Sequence, residues 1–487
     1  MTLNRRAFLK TLALGSMALA LPGCRSTPGA PASPNILFIM ADDMGYGDPG
    51  CNNVESKVPT PHIDQLAKEG MRFTDAHAPA SVCVPSRYGL LTGRYPFRMS
   101  RDPAGSLIAP ERMTLASLLH NHGYRTGMVG KWHLGFDGGT SDRDFSKPMR
   151  GGPVDRGFDY YFGIPASLDI PPYYYIRNDH CVDPPTDNIG EHHSEGVTPI
   201  QGAFWRGGHI APGFSHKEVL PEFAEKASQF LQDHHQSTPS RPFFLYLALA
   251  APHTPWLPTE KYRGLSGAGD YGDYTAEVDA SIGRVLQTLD DLDLRDRTLV
   301  IFTSDNGPVW YDQDVVRWHH DSAGGLRGMK GDAWEAGHRM PFIARWPDRI
   351  KAGSTSDEVI CFTDMLATFA AIVGADLPRD AGEDSYSILP VLREQPYNKP
   401  LREATVFYSS RRFYAIRKGP WKLIQGRGSG GFSVPHDVEP EPGEPAGQLY
   451  NLQEDPDESD NLYAEYPKMV DDLTNLLQRY KSTGRSV

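Results

Sequence analysis

The chain has 487 residues, and its 49 Lys+Arg against 61 Asp+Glu leave a formal net charge of −12. At ~150 residues per domain this length corresponds to about three domains, or to one large α/β domain with an appendage. The acidic surplus excludes the basic face of a nucleic-acid binder while leaving room for a local basic pocket, a hydrophobic content of 39% excludes wholesale disorder, and five Cys are too few for a disulfide framework.

Taken in chain order, the first segment is an export signal. Arg5-Arg6 with Phe8-Leu9-Lys10 precedes an apolar run, Leu12 to Leu21, too short to span a membrane. The paired arginines resemble a twin-arginine (Tat) signal. Leu21-Pro22-Gly23-Cys24 resembles a bacterial lipobox, which would make Cys24 a lipidated first residue and the only membrane attachment. Ordinary cleavage near Gly23 is the other reading. Residues 1–24 are therefore assigned to the signal and the Pro/Ser/Gly/Ala-rich 25–33 to a flexible tether. The expected location is the periplasm or cell envelope. Cys51, Cys83, Cys181 and Cys361 are too widely spaced for a CxxC pair and leave room for one disulfide.

Four short apolar runs read as strands: Asn35–Met40, Thr126–Val129, Pro242–Leu249 and Leu299–Thr303. Helical patterns lie between them at Ile63–Gly70, Met113–His122, Phe223–His234 and Tyr274–Leu292, with a further one at Thr363–Val373. Alternation of this kind implies an α/β fold: a large, mostly parallel sheet sandwiched by helices. The composition shifts near Pro378. Beyond it, strands at Ala404–Tyr408, Phe413–Arg417, Trp421–Ile424 and Gln448–Asn451 and a helix at Pro467–Lys481 read as a small antiparallel sheet plus helix. Gly426–Pro445 reads as a surface loop. The expected division is a catalytic domain over 34–378 and a smaller C-terminal α+β subdomain over 379–487.

The polar residues fall where such a fold does chemistry. Each of the four strands ends in a carboxylate, a lysine or a histidine: Asp42-Asp43, Lys131 and His133, His253, and Asp305-Asn306. The carboxyl ends of strands in an open α/β sheet form its ligand crevice, so these residues can converge. Asp42, Asp43, Asp305 and Asn306 offer only oxygen ligands, which suit Ca²⁺ or Mg²⁺ rather than zinc. Pro85 can occupy the first turn of a helix running to Leu91, which sets Cys83 at the helix N-terminus and Arg87 one turn inside. Taken alone, Cys83 reads as a buried small hydrophobe or as a thiolate nucleophile.

The sequence C-V-P-S-R (83–87) followed by L-L-T-G-R (90–94) resembles the signature of the type I sulfatases of the alkaline-phosphatase-like superfamily. A-D-D-M-G-Y-G-D (41–48), G-K-W-H-L-G (130–135), A-P-H-T-P (251–255), S-D-N-G (304–307) and L-R-G-M-K-G-D-A-W-E-A-G-H-R-M-P (326–341) resemble its other active-site segments, in order. Ala336 stands where the family usually has Gly. The resemblance spans roughly residues 34–480. It implies that a formylglycine-generating enzyme oxidises Cys83 to Cα-formylglycine and that Asp42, Asp43, Asp305 and Asn306, with residue 83, hold one Ca²⁺. It further implies that Arg87 orients residue 83, and that Lys131, His133, His253 and Lys330 surround the sulfate. One hydroxyl of the hydrated aldehyde would attack sulfur. His133 would deprotonate the other to release sulfate, and His253 or Lys330 would protonate the departing oxygen.

The implied activity is hydrolysis of sulfate esters, on a sulfated small molecule or glycan. The rival readings are a phosphoester or phosphonate hydrolase of the same superfamily, and a surface protein that binds sulfated glycan without cleaving it. Residues 167–215, rich in Pro, Tyr, His and Gly, read as an active-site rim or as a loop packed by its own tyrosines, and Trp318–Asp321 reads as a further pocket wall. His234-His235 reads as a charged helix C-terminus.

Overall fold

Successive side chains of a strand point to opposite faces of its sheet, so a strand covered on both faces must be apolar throughout. Asn35–Asp42 (β1) meets that condition, with all eight residues buried. Ile36, Phe38 and Met40 enter one core with Leu90, Leu118, Leu366 and Phe369. Leu37, Ile39 and Ala41 enter another with Ile63, Phe223, Phe230, Ile282 and Leu289. Each core is the buried face of a helical layer: Cys83–Thr92, Leu115–Asn121 and Met365–Val373 on one side, and Pro61–Glu69, Val219–Ser237 and Gly269–Asp291 on the other.

The computed structural model describes residues 33–99, 105–139 and 143–487. The signal, Cys24 and the tether up to residue 32 lie outside them. Pro34–Val487 is one compact unit. Among the described residues, no helix is long and apolar enough to cross a membrane, and Cys51, Cys83, Cys181 and Cys361 are all free thiols.

The sheet has ten strands. At its centre Arg125–Lys131 (β2), Phe243–Pro252 (β3), β1 and Thr298–Ser304 (β4) run parallel in that spatial order. Antiparallel neighbours extend it past β4, through Phe342–Arg345 and Met71–Phe73. Past β2 come Tyr160–Ile164 and a short hairpin of Ile176–Arg177 with His180–Cys181. These flanking strands are short, and their apolar pattern alone does not mark them. β2 carries little apolar signal because two of its residues are glycine. At Gly130 the backbone φ is +125°, and a Cβ would stand 1.8 Å from the Ala248 carbonyl oxygen, so the strand end that presents Lys131 admits no side chain there.

The C-terminal residues form the expected antiparallel sheet, Thr405–Tyr408, Tyr414–Lys418, Trp421–Ile424 and Gln448–Asn451, backed by the helix Pro467–Ser482. Its core of Val406, Ile416, Leu423, Leu449, Leu473 and Leu477 also takes in Tyr95 and Cys361. A second connection to the larger body is polar and buried. Lys422 Nζ lies 3.0 Å from Glu335 Oε1, 3.1 Å from His338 Nε2 and 2.8 Å from Glu458 Oε1. His338 Nδ1 meets His77 Nδ1 at 3.0 Å, and His77 Nε2 meets Asp75 Oδ1 at 2.6 Å.

One buried carboxylate joins two helices of the outer layer. Asp279 accepts the backbone amides of Ile63 at 2.8 Å and His62 at 3.2 Å, in the first turn of Pro61–Glu69. Burial pushes its carboxyl up to about 7, the two amides opposing. The folded protein therefore holds a proton that the unfolded chain has lost between the ordinary carboxylate range and pH 7. Stability falls across that window as pH rises, by on the order of 1.4 kcal/mol per pH unit. Asp279→Asn is expected to flatten this slope in denaturant titrations at pH 5, 6 and 7; an unchanged slope would assign it to other groups.

Candidate active site

The four central strands deliver their polar ends to one place. Asp42 closes β1, and Asp43 follows at φ 66°, a left-handed conformation that a non-glycine residue adopts only where its surroundings hold it. His133, two residues past the end of β2, has φ 59°. Lys131 Nζ lies 2.5 Å from Asp42 Oδ2, and Lys330 Nζ lies 2.6 Å from Asp43 Oδ1. Asn306 Nδ2 donates to Asp43 Oδ1 at 2.6 Å. Arg87 reaches across the floor: Nε donates to Asp305 Oδ2 at 2.9 Å and Nη1 to the Lys131 carbonyl at 2.9 Å. His253 Nδ1 donates to the Thr254 carbonyl at 2.6 Å, leaving Nε2 3.7 Å from Asp43 Oδ2.

Cys83 opens the helix Cys83–Thr92, with Pro85 in its first turn, as the spacing predicts. Its Sγ lies 3.3 Å from His133 Nδ1. Burial pushes the Cys83 thiol up despite the nearby Lys131 and Lys330, which opposes a simple thiolate nucleophile. Burial, with Lys131 and Arg87 beside it, holds His133 well below the ordinary histidine range, so its ring is neutral and can accept a proton. Burial alone would raise the Asp42 carboxyl, but Lys131, His253, Arg87 and Lys330 outweigh it and keep Asp42 ionised. Asp305 is pushed up to about 6 by burial and by the charge of Asp42. For Lys330, Asp43 outweighs the burial that would strip its proton. All ten residues singled out in the sequence thus share one crevice.

Among the described residues two clusters have metal-ligand chemistry, and their free valences separate them. Asp42 Oδ1 and Asn306 Oδ1 are buried with no hydrogen-bond partner, and Asp42, Asp43 and His253 bring ligand atoms within 4.8 Å of one another. Two orphaned buried oxygens among the oxygen donors of Asp42, Asp43, Asp305 and Asn306, with the His253 nitrogen at their edge, fit a hard divalent cation. The His77, Glu335 and His338 cluster also lies within 4.8 Å, but its atoms are saturated by Asp75, Arg339 and the Lys422 ammonium, which takes the position a cation would need. In the first cluster Asp42, Asp43 and Asp305 balance Arg87, Lys131 and Lys330, so a bound divalent cation would leave the crevice net positive and attractive to an anion.

The sulfatase family model matches residues 34–375, well over half of the chain. The chain belongs to the sulfatase family. A second family model, described as N-sulphoglucosamine sulphohydrolase, C-terminal, matches residues 330–483 of this sulfatase. An N-acetylgalactosamine-6-O-sulfatase of Bacteroides thetaiotaomicron is 37% identical, over 92% of this chain and 93% of its own length. Human arylsulfatase A is 36% identical, over 94% of this chain and 86% of its own length. A solved Bacteroides thetaiotaomicron structure, titled for the metabolism of multiple glycosaminoglycans, matches with a TM-score of 0.81 at 35% identity, over 93% of this chain and all (100%) of that one. The sulfatase is thus a sulfuric ester hydrolase with an alkaline-phosphatase-like fold.

Several sequence expectations around the site of this sulfatase are corrected by its packing. His320 does not line the crevice. It is buried, with Nε2 2.8 Å from Asp48 Oδ1, and Asp48 Oδ2 accepts from Gly45 N at 2.7 Å and Tyr271 Oη at 2.5 Å. Asp48 thereby braces the turn that follows Asp42-Asp43. It stands in the quoted A-D-D-M-G-Y-G-D segment, but no spacing rule distinguishes a bracing carboxylate from a ligand. Of the two readings of residues 167–215, self-packing holds at Tyr173, buried against Phe214 and the adjacent His216, while Tyr174 is buried in the main core. Within residues 167–215 the Gly202 carbonyl accepts from Thr254 Oγ1 and Trp256 N, on the segment that follows His253. His234 is buried and pushed down to about 4 by that burial, so it is neutral rather than a charged helix end. Gly426–Pro445 is only partly surface: the Ser429 carbonyl accepts the amide of Ala333 at 2.7 Å. Ala336, buried beside Gly307, is accommodated where the family has Gly.

Proposed function

We propose that this sulfatase hydrolyses O-sulfate esters of carbohydrates, with Cys83 matured to Cα-formylglycine by a formylglycine-generating enzyme and with one Ca²⁺ held by Asp42, Asp43, Asp305 and Asn306 beside residue 83. The observation that carries the reading is the pair of orphaned buried oxygens, Asp42 Oδ1 and Asn306 Oδ1, in the crevice whose charges bear on Cys83. The 37% identical N-acetylgalactosamine-6-O-sulfatase supports a carbohydrate substrate. The Arg5-Arg6 and Leu21–Cys24 motifs support an exported, envelope-anchored enzyme.

When present, the cation neutralises charge on the sulfate group, and the hydrated formylglycine supplies the oxygen nucleophile. The chain's own residues do the rest. Arg87 fixes the carboxylate of Asp305 and, through the Lys131 carbonyl, the end of β2. Lys131 and Lys330 approach from two sides and hold the anionic sulfate against the charge it already carries. Neutral His133, next to position 83, takes the proton from residue 83 that sulfate release requires. His253 is the better-placed acid for the departing alcohol oxygen when its ring carries both protons: the Thr254 carbonyl holds Nδ1–H, so the proton given is the one on Nε2, which has no closer partner than Asp43 at 3.7 Å, whereas the Lys330 ammonium is engaged by Asp43.

The test is sulfate release from a 6-O-sulfated N-acetylhexosamine by protein purified from a host with the modifying enzyme, with the mass of the Cys83 peptide measured in the same sample. Turnover with a hydrazine-reactive aldehyde at residue 83 is expected. Active protein with an intact thiol would overturn the formylglycine assignment. Faster turnover of an aryl phosphate than of the matched aryl sulfate would favour the phosphoester reading, and glycan binding without sulfate release by fully modified protein would establish the non-catalytic one. Chelation with EGTA is expected to lower kcat/KM at least about 100-fold, with Ca²⁺ restoring it. The far-UV spectrum should stay unchanged, because Lys131 and Lys330 already neutralise Asp42 and Asp43. Full activity in EGTA would remove the cation from the mechanism.

A further inference from the structure

Asp42 and Asp43 are consecutive, and consecutive side chains of a strand point to opposite faces of its sheet. Both nevertheless bring ligand atoms, with His253, within 4.8 Å of one another. The chain does this by turning at Asp43, where φ is 66°. A left-handed non-glycine residue persists only where its surroundings over-determine it. The strength of the cation site therefore depends on what holds this turn.

Two hydrogen bonds hold it from within the crevice: Asp43 N donates to Asp305 Oδ1 at 3.3 Å, and Met44 N to Ser304 Oγ at 2.9 Å. The next ones come from a single carboxylate further along the chain. Asp48 Oδ2 accepts Gly45 N at 2.7 Å and Tyr271 Oη at 2.5 Å, and Asp48 Oδ1 accepts His320 Nε2 at 2.8 Å. His320 Nδ1 accepts the amide of Lys57 at 3.3 Å, which leaves the ring hydrogen on Nε2, directed at Asp48. Tyr271 Oη also stands 3.3 Å from the Asp43 carbonyl oxygen and 3.0 Å from Ser322 Oγ. One hydroxyl thus separates the Asp48 carboxylate from the backbone of Asp43.

The partners of Asp48 are themselves fixed. Asp48, Tyr271, His320 and Ser322 are all buried. The Tyr271 ring packs against Trp256 and Trp310, with centroids 5.2 Å and 4.8 Å away. Trp310 Nε1 donates to the His320 carbonyl at 2.9 Å. A Cβ on Gly45 would stand 2.0 Å from the Ser322 carbonyl oxygen, so the backbone of the turn lies directly on the segment that follows His320. Among the described residues no lysine or arginine pairs with Asp48, and its charge adds to those of Asp42, Asp43 and Asp305 in the direction that favours a cation.

We propose that Asp48, aimed by His320 and Tyr271, is a positioning residue that sets the affinity of the crevice for its divalent cation by holding Asp43 in the left-handed turn. The proposal rests on the cation reading above. The action of Asp48 is indirect: through Gly45 N and Tyr271 it fixes where the Asp43 carboxylate stands beside Asp42.

The test is Ca²⁺ binding by calorimetry to mature protein stripped with EGTA, together with the rise in thermal midpoint that Ca²⁺ produces. Asp48→Asn keeps the side-chain volume but sets an amide where one of two accepting oxygens stood. It is expected to weaken Ca²⁺ binding about tenfold or more, the scale on which outer partners of metal ligands act. Tyr271→Phe keeps the ring between Trp256 and Trp310 and removes only the hydroxyl, for an expected weakening of about threefold or more. It carries the test alone if Asp48→Asn does not fold. In each variant the rise in midpoint on adding Ca²⁺ should shrink. A merely structural role would lower the midpoint in EGTA and leave the Ca²⁺ affinity of the folded variants at the wild-type value, and that result would overturn the proposal. Weakened binding in Asp48→Asn with wild-type affinity in Tyr271→Phe would overturn it as well, assigning the effect to the charge of Asp48 and not to the turn. Wild-type protein that binds no Ca²⁺ would overturn the cation reading itself, whatever the variants do.

Discussion

Cys83→Ala is expected to lower sulfate-ester turnover by about 10⁴-fold or more, the scale on which removing a covalent nucleophile acts. The substitution keeps the Cβ, so the helix Cys83–Thr92 and the position of Arg87 inside it should persist. What disappears is the group that His133 meets at 3.3 Å. The remaining crevice, with Lys131, Lys330 and the Asp42–Asp43–Asp305–Asn306 set, should still bind a sulfated ligand. The expected signature is therefore a collapse of kcat with binding of product sulfate or an inert sulfonate analogue retained, measured by calorimetry. Cys83→Ser separates the maturation step from the chemistry: it restores an oxygen but not the geminal pair of hydroxyls, so slow or single-turnover sulfate release is expected from it. Cys83→Ala protein with undiminished turnover would reject every role assigned to residue 83.

Lys422→Ala is expected to destabilise the fold by about 3–5 kcal/mol, the cost of breaking a buried charge cluster from one side. Lys422 is fully buried, with Glu335 on one side at 3.0 Å and Glu458 on the other at 2.8 Å. Burial alone would raise the Glu335 carboxyl, but Lys422 outweighs it and holds Glu335 well below the usual range. Glu458 is pushed up to about 7 by burial even with the ammonium beside it. Without Lys422, Glu335 keeps Arg339 at 3.4 Å, but Glu458 loses the only cation paired with it among the described residues and is driven to take up a proton. The loss should show as a lowered urea midpoint, larger at pH 8 than at pH 6, because the extra proton becomes harder to acquire as pH rises. A change below about 1 kcal/mol at both pH values would show that the cluster contributes no net stability. Because Glu335 lies on the same segment as Lys330, a fall in kcat under conditions where the variant is fully folded is also expected.

Seven of the ten crevice residues were legible in the sequence for a physical reason, Cys83 and Arg87 followed from the helix opened at Pro85, and Lys330 came only with the family resemblance. Four apolar strands each ended in a carboxylate, a lysine or a histidine, and the carboxyl ends of parallel strands converge whatever their separation in sequence. Strand polarity, sheet class and the helix that presents Cys83 follow from local patterns of period two and 3.6, and from the placement of Pro85. The motifs then fixed the family, because the order and spacing of chemistry-bearing residues is a property of the chain alone.

Tertiary structure decided everything that depends on what faces what. Nothing in the pattern around Asp48, His320 or Lys422 distinguishes a buried brace from a solvated charge; only the packing of Tyr271 on Asp48, or of Glu335 and Glu458 on Lys422, makes the difference. The tyrosines at 173 and 174 read as a rim or as self-packing, since a run of Pro and Tyr carries no period to orient it, and only their burial decides for packing. The loop after Gly426 reads as surface, yet Asp332 draws Phe432 and Ser433 to the side of Lys330. Residues 198, 312, 329 and 432 share one cavity through contacts between segments up to 234 positions apart. The sequence by itself determined which groups this sulfatase carries and the strand ends that hold them. The fold alone decided which are buried and which are paired, because those are properties of neighbours that no local pattern names.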